Sequence, residues 1–175
     1  MNKIEILKVL IDAATIEKRV GELAGEISRD YAGKDLVLVG ILKGAVIFLA
    51  DLMRRMTIPA AVDFVHASSY GTSTSSSKEV RIKKDVDADV AGRHVLLVDT
   101  VVDTGLTLSC LFELFRKRGP ASLKAAVLLD KKPCRIVETP LAYRGFEIGD
   151  EFVVGYGVDC AEQCRNLPYI AVIKP

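Results

Sequence analysis

The sequence HVLLVDTVVDTGLTLSCL, residues 94–111, joins an apolar run to a polar turn. The run over 93–99 has the length of a buried strand and ends at an acid, Asp99. A second acid, Asp103, follows, and the residues after it are typical of a turn into a helix over about 106–118. Because strand, turn and helix in this order form the repeating unit of α/β proteins, this stretch indicates the fold class.

The same unit recurs on both sides of this stretch. Fully apolar runs such as 35–40 predict strands buried on both faces, and residues 15–31 predict an amphipathic helix with Thr15 as its cap. The alternation favours an α/β fold with a mostly parallel central sheet flanked by helices. The predicted strands are 35–40, 61–66, 93–99, 123–129, 151–156 and 169–173, and the predicted helices are 15–31, 44–56 and 106–118.

Four polar side chains lie at or just past the ends of predicted strands: Lys43, Asp99, Asp103 and Lys131. Ligands of parallel sheets bind at the carboxyl ends of the strands, so we expect these side chains to converge on one edge.

Bulk composition excludes some partners. The 175 residues carry a formal net charge of +1, so no global field attracts nucleic acid or an anionic membrane. Charges interrupt the apolar run near 36–52, and residues 1–15 lack the pattern of a signal peptide. We therefore expect a cytoplasmic protein with no membrane partner.

The turn over 103–107 has two interpretations. Gly105 permits close approach of the backbone to a ligand, and the amides of a helix N-terminus together with threonine hydroxyls bind a monophosphate well. Alternatively, Asp103 and Thr104 only cap the helix, since both residue types are favoured caps. Neither G-x-x-x-x-G-K-[ST] nor G-x-G-x-x-G is present.

The segment 68–80 is rich in serine, threonine and glycine. It is either a plain surface connection or a lid over an active site, and its length favours the lid.

The wider pattern around the turn resembles the signature of the type I phosphoribosyltransferases: an apolar strand with acids at its end, then Asp-Thr-Gly-x-Thr at 103–107. Further motifs follow the family's order and are similar to the hypoxanthine-guanine members. The resemblance implies one domain over 1–175, with a core at about 15–130 and a small hood built from chain-terminal segments, about 1–14 and 131–175. The motifs are GILKGA (40–45), SSYG (68–71), LLDKKPCR (128–135) and EFVVGYGVDCAEQCRNLPYI (151–170).

This resemblance implies an enzyme that transfers the phosphoribosyl group of 5-phosphoribosyl-1-diphosphate to hypoxanthine or guanine, giving IMP or GMP and pyrophosphate. Asp103 would be the catalytic residue, accepting a proton at purine N7. Mg²⁺ would be the cofactor, with Asp159 and Asp99 as its ligands. The residues expected to bind substrate are Lys43, Gly44, Ser69, Tyr70, Asp99, Thr100, Asp103, Thr104, Gly105, Leu106, Thr107, Lys131, Phe152, Val153, Asp159 and Arg165.

The same resemblance divides these residues between base and diphosphate. Lys131 would donate to purine O6, while backbone groups of Val153 and Asp159 would read the edge of the base. Phe152 would stack on the ring, with Tyr156 as the alternative. The departing pyrophosphate would contact Lys43, Gly44 and Arg165, with Ser69 and Tyr70 above it. In the family the peptide bond before this lysine can be cis, a point that the sequence leaves open.

The sequence departs from the family at one place. Asp99-Thr100 stands where the family usually has Glu-Asp, a pair that holds the ribose hydroxyls and helps to place the metal. Thr100 adds no charge, so we expect weaker binding of metal or diphosphate. On this argument Thr100→Asp would lower the KM for the diphosphate or the Mg²⁺ requirement.

Three alternatives stay open at this point. The chain could be a nucleic-acid-binding regulator that keeps the fold, a pyrimidine enzyme, or a related enzyme that prefers xanthine. The near-zero charge disfavours the first, and Lys131 with FVVGYGVD disfavours the second. A homodimer or homotetramer is the expected assembly, since closed symmetric oligomers are common among such enzymes.

Overall fold

The computed structural model describes residues 4–69 and 80–174. A short 3-10 helix, Lys132–Cys134, follows the sixth strand. In chain order the helices and strands are β1 (Ile6–Ile11), α1 (Ala13–Asp30), β2 (Leu36–Leu42), α2 (Val46–Arg55), β3 (Ala61–Ser69), β4 (Val80–Lys84), β5 (His94–Val102), α3 (Leu106–Arg116), β6 (Ser122–Asp130), β7 (Tyr143–Glu147), β8 (Val153–Val154) and β9 (Ile170–Ile173).

A six-stranded sheet in the order β4-β3-β2-β5-β6-β7 forms the centre of the molecule. All neighbouring pairs are parallel except β3 and β4, which pair antiparallel at one edge. The predicted α/β class with a mostly parallel sheet is confirmed. In the described part of the chain, no helix has the length and apolar character needed to cross a membrane.

Strand β2 shows why the central strands are continuous apolar runs in the sequence. Leu36 and Leu38 pack in the core formed with α1 and α2, whereas Val37 and Val39 pack in the core formed with α3. Successive side chains of a strand point to opposite faces, so a sheet covered on both faces needs apolar residues at every position.

A second, three-stranded sheet in the order β1-β9-β8 brings the two ends of the chain together. Its β1 pairs antiparallel with β9 through Ile6 and Ile173 among others. One segment of the range expected for the hood lies elsewhere, because β7 pairs parallel with β6 in the central sheet.

Two local predictions need correction, and three strands were not predicted. The carboxylate of Asp12, not Thr15, caps α1, and it accepts the Thr15 N–H at 2.8 Å. Strand β5 continues to Val102, because pairing with β6 extends to Asp130, so Asp99 lies inside the strand. The sequence did not predict strands β1, β4 and β7. Strands β1 and β7 have no clear apolar alternation, and β4 does alternate but is only five residues long.

Candidate active site

The carboxyl ends of β2 and β5 open into a cavity of about 580 Å³. Three segments form most of its wall: 41–44, 99–108 and 157–159. This is the edge at which parallel sheets bind ligands. The predicted site residues that line it are Lys43, Gly44, Asp99, Thr100, Asp103, Thr104, Gly105, Leu106, Thr107, Asp159 and Arg165.

Two of the residues predicted to bind the base, Lys131 and Phe152, lie beside Asp103 on the cavity wall. Lys131 Nζ is 3.9 Å from Asp103 Oδ2 and 5.8 Å from the centroid of the Phe152 ring. Phe152 is 61 % exposed, so its ring is presented to solvent and is not a core aromatic. Val153 is buried in β8. Tyr156 is also buried and donates its hydroxyl to Asp51 at 2.6 Å, which removes it as the alternative stacking residue.

The predicted lid is mostly outside the described residues. Tyr70 lies there, as do residues 71–79. Of Ser69 only the backbone is described, at the end of β3 opposite Val80. The roles of Ser69 and Tyr70 therefore stay predictions.

The turn over 103–107 has the form of an anion site. Gly105 has φ +83° and occupies the cap position before the first residue of α3. The Thr104 hydroxyl accepts the N–H of Leu106 at a long 3.4 Å. The capping interpretation therefore holds in part for Thr104, while the structure gives no hydrogen bond from an amide of α3 to the Asp103 carboxylate in the described part of the chain. The Thr104 carbonyl accepts the N–H groups of Ile136 at 2.9 Å and Val137 at 3.0 Å. These bonds hold the turn in place, and residues 104–108, which include the first amides of α3, line the cavity.

A cluster of charges lies across the cavity. Lys43, which follows a cis peptide bond, donates to Glu162 at 2.8 Å. Arg165 lies 2.7 Å from Asp159 Oδ1 and 3.3 Å from Glu162 Oε2, and it donates to the Gly157 carbonyl at 2.7 Å. The cations beside Glu162 hold the pKa of its carboxyl below the usual range.

The Thr100 hydroxyl is bonded to another part of the protein. The side chain is completely buried, and its hydroxyl donates to the Gly44 carbonyl at 3.0 Å. Thr100 borders the cavity, but its hydroxyl proton is already used in this bond. The contact joins residues 56 positions apart in the sequence, so no local pattern could have revealed it.

Asp99 lies at the floor of the cavity, where its carboxylate accepts the N–H of Thr100 at 2.7 Å. Burial is the main influence on this carboxyl and raises its pKa to about 7. Hydrogen bonds from the amides of Thr100 and Val101 lower the pKa and offset part of that rise. The ionised form that would bind a metal or a ribose hydroxyl thus becomes dominant only above neutral pH.

In the ligand-free protein, Asp99→Asn is expected to increase stability at high pH. Because the pKa of Asp99 rises on folding from 3.8 to about 7, the native state loses stability as pH increases through that window. The variant should match the wild type near pH 4 and gain at most about 4 kcal/mol above pH 7. Melting temperatures measured from pH 4 to 8 test this, and an advantage that is greatest at pH 4 would contradict it.

The donors present fit a hard divalent cation. Asp99 and Asp159 offer carboxylate oxygens to the same cavity. Within 4–69 and 80–174 no group of three or more metal-binding side chains occurs. Few protein ligands suit Mg²⁺, which takes one or two carboxylates and completes its shell from phosphates and water.

Sequence reasoning missed three residues that shape this site. Glu162 pairs with both cations, Gly157 packs on the Gly44 carbonyl, and Arg135 donates its Nε to the Asp103 carbonyl at 3.1 Å. All three lie within the family motifs, but only the packing of distant segments gives them these contacts.

Comparisons with known proteins agree on one family. Residues 9–161 match the family described as phosphoribosyl transferase domain. The chain is 48% identical over 175 residues to a hypoxanthine-guanine phosphoribosyltransferase of Bacillus subtilis, with coverage of 100% of this chain and 97% of the relative. It is 45% identical to a hypoxanthine phosphoribosyltransferase of Haemophilus influenzae, with 94% of each covered. The crystal structure of a hypoxanthine-guanine phosphoribosyltransferase from Bacillus anthracis has a TM-score of 0.91 at 42% identity, covering 98% of this chain and 100% of that one.

Proposed function

This chain belongs to the phosphoribosyl transferase family, and we propose that its cavity transfers the 5-phosphoribosyl group of 5-phosphoribosyl-1-diphosphate to hypoxanthine or guanine in purine salvage. The products are IMP or GMP and pyrophosphate. One observation carries the proposal: a phosphate-type turn, a pair of cations and Lys131 meet at one edge of the sheet.

The turn over 103–107 holds the 5′-phosphate. The amides at the start of α3 donate to it, and the hydroxyls of Thr104 and Thr107 add further donors. The positive end of the helix dipole favours the negative charge at the same point. Holding the phosphate here sets C1 of the ribose over the floor of the cavity, near Asp99.

The purine lies between Lys131 and Phe152. Lys131 donates to O6, which selects 6-oxopurines against adenine, whose group at that position is itself a donor. Phe152 stacks on the ring, and backbone groups of Val153 and Asp159 read its edge. Asp103, 3.9 Å from the Lys131 amine, accepts the N7 proton while the bond from the base to C1 forms.

The leaving pyrophosphate lies on the other side of C1. Lys43 and Arg165 donate to it, and the amide of Gly44 faces it. Members of the family need a divalent metal, and we infer that here it is Mg²⁺, held by Asp159 and Asp99. When bound, the metal neutralises charge on the diphosphate. Ser69 and Tyr70 are proposed to cover the diphosphate from the lid, which would exclude water from C1.

The proposal extends to the chain as a whole. We infer one domain over 1–175 with a hood from the chain ends, acting as a homodimer or homotetramer. Sedimentation velocity measures that assembly, and a monomer at all concentrations would reject it.

A spectrophotometric assay tests the function. The protein is incubated with Mg²⁺, 5-phosphoribosyl-1-diphosphate and, in turn, hypoxanthine, guanine, xanthine and adenine. We expect nucleotide formation with hypoxanthine and guanine and none with adenine. Turnover of xanthine alone would reassign the base, and no turnover with any 6-oxopurine would reject the proposal.

Replacing Glu162 with glutamine is expected to strengthen pyrophosphate binding. Glu162 pairs with Lys43 and Arg165 in the free protein, so the leaving group must displace it. Exposed ion pairs contribute little each, and removing both should lower the Kd for pyrophosphate by about 3–10-fold. Isothermal titration measures this. Glu138→Gln, on an exposed residue outside the cavity, is the control, and an equal or higher Kd in Glu162→Gln would contradict the expectation.

A further inference from the structure

A hydrogen bond of the buried Thr100 hydroxyl connects two segments of the cavity wall. Thr100 lies in β5, and Gly44 lies in the segment that follows β2. The hydroxyl donates to the Gly44 carbonyl at 3.0 Å, and none of the Thr100 surface is exposed. A partly buried carbonyl that loses its donor is destabilised, so this bond constrains where the segment over 43–45 can lie.

A third segment meets the same carbonyl. Gly157 has φ +98°, and a Cβ on it would lie 2.1 Å from the Gly44 oxygen and 3.5 Å from Thr100 Oγ1. Gly157 also exchanges hydrogen bonds with Arg165: its N–H donates to the Arg165 carbonyl at 2.9 Å, and its own carbonyl accepts from the guanidinium at 2.7 Å. The Gly44 carbonyl is thus the point at which β5, the segment bearing Lys43 and the segment bearing Arg165 touch.

We propose that Thr100 is a positioning residue for the pyrophosphate side of the reaction. Its hydroxyl holds the Gly44 carbonyl away from the cavity, which directs the Gly44 amide and Lys43 toward the leaving group and keeps Arg165 opposite them. Thr100 itself touches no substrate. The inference rests on the proposed function.

The nature of the bond explains why a threonine serves here. A carbonyl oxygen accepts hydrogen bonds and cannot donate one, so its partner must carry a proton. The hydroxyl does so at every pH, whereas an ionised aspartate offers only acceptors and would repel the Gly44 oxygen. At this position the chain therefore has a neutral hydrogen-bond donor, where the family pattern predicts a charged carboxylate.

Two variants separate the hydroxyl from the shape of the side chain. Thr100→Val keeps the shape and loses the donor, and Thr100→Ser keeps the donor. For Thr100→Val we expect the Kd for pyrophosphate and the KM for 5-phosphoribosyl-1-diphosphate to rise roughly 10-fold, with the KM for hypoxanthine and the Kd for IMP within about 2-fold of wild type. For Thr100→Ser we expect all four constants within about 3-fold of wild type.

The outcomes distinguish this inference from the function on which it rests. Wild-type protein that binds neither pyrophosphate nor IMP would reject the proposed function. Wild-type protein that binds both, with no change in Thr100→Val or with equal losses for pyrophosphate and IMP, would reject only the positioning role.

A third variant tests the role of charge and does not depend on how Thr100→Val folds. The positioning role predicts that Thr100→Asp raises the KM for the diphosphate, opposite in sign to the expectation from the family pattern. A lower KM for the diphosphate, or a lower Mg²⁺ requirement, would show that the position acts through charge and would overturn the inference.

Discussion

Protein with Asp103 replaced by asparagine is expected to lose about 10²–10³-fold in kcat while keeping its affinity for nucleotide. The side chain is 55 % exposed at the cavity border, next to the Lys131 amine that we assign to purine O6. An amide of the same shape cannot accept the N7 proton. The step in which the base bonds to C1 then lacks its proton acceptor, so the loss should fall on kcat.

The substitution should leave the turn intact, because backbone bonds hold it. Arg135 donates to the Asp103 carbonyl, and the Thr104 carbonyl accepts the amides of Ile136 and Val137. Arg135 is itself fixed by a hydrogen bond to Asp130, and both side chains are almost fully buried. None of these bonds uses the Asp103 carboxylate.

Steady-state kinetics and IMP titration measure the two effects separately. The Kd for IMP should stay within about 3-fold of wild type, since the amides of the turn remain. Glu113→Gln, exposed on α3, serves as the control for a lost carboxylate. A kcat above one-tenth of wild type would remove Asp103 from the acid–base role.

The sequence was informative wherever local chemistry decides the structure. Strand β2 is apolar because helices cover both faces, and the turn before α3 needs a glycine because its backbone has positive φ. Both constraints act on consecutive residues, so the sequence predicts them. The polar residues near the strand ends were predictable for the same reason, because they stand next to the apolar runs in the sequence. The sequence therefore predicted which segments of the chain form the cavity wall.

The sequence was uninformative where distant segments decide the structure. Thr100 was expected to face the ribose, but its hydroxyl is bonded to Gly44. Strand β1 has mostly exposed side chains and exists because β9, from the other end of the chain, pairs with it. Asp12 and Thr15 are both acceptable caps, and only the observed hydrogen bond decides between them.

The turn over 103–107 leads to a second expected result of large effect: Gly105→Ala should destabilise the protein by more than about 2 kcal/mol and weaken IMP binding by at least about 100-fold. A Cβ at this position would lie 2.2 Å from the Val137 carbonyl oxygen and 2.9 Å from Arg135 Cδ. The carbonyl is backbone that cannot swing aside. The turn must therefore move, and its amides move with it.

Gly33→Ala is the matched control, because it separates backbone strain from collision. Gly33 has φ +72°, close to the +83° of Gly105, but a Cβ there meets no atom within 4 Å. Strain alone should cost Gly33→Ala about 1 kcal/mol in urea unfolding and leave the Kd for IMP unchanged. If the two variants lose equal stability and Gly105→Ala still binds IMP normally, then the contact with Val137 does not shape the turn and the phosphate is held elsewhere. A loss of IMP affinity confined to Gly105→Ala would instead tie phosphate binding to the close packing of this turn on the segment that bears Lys131.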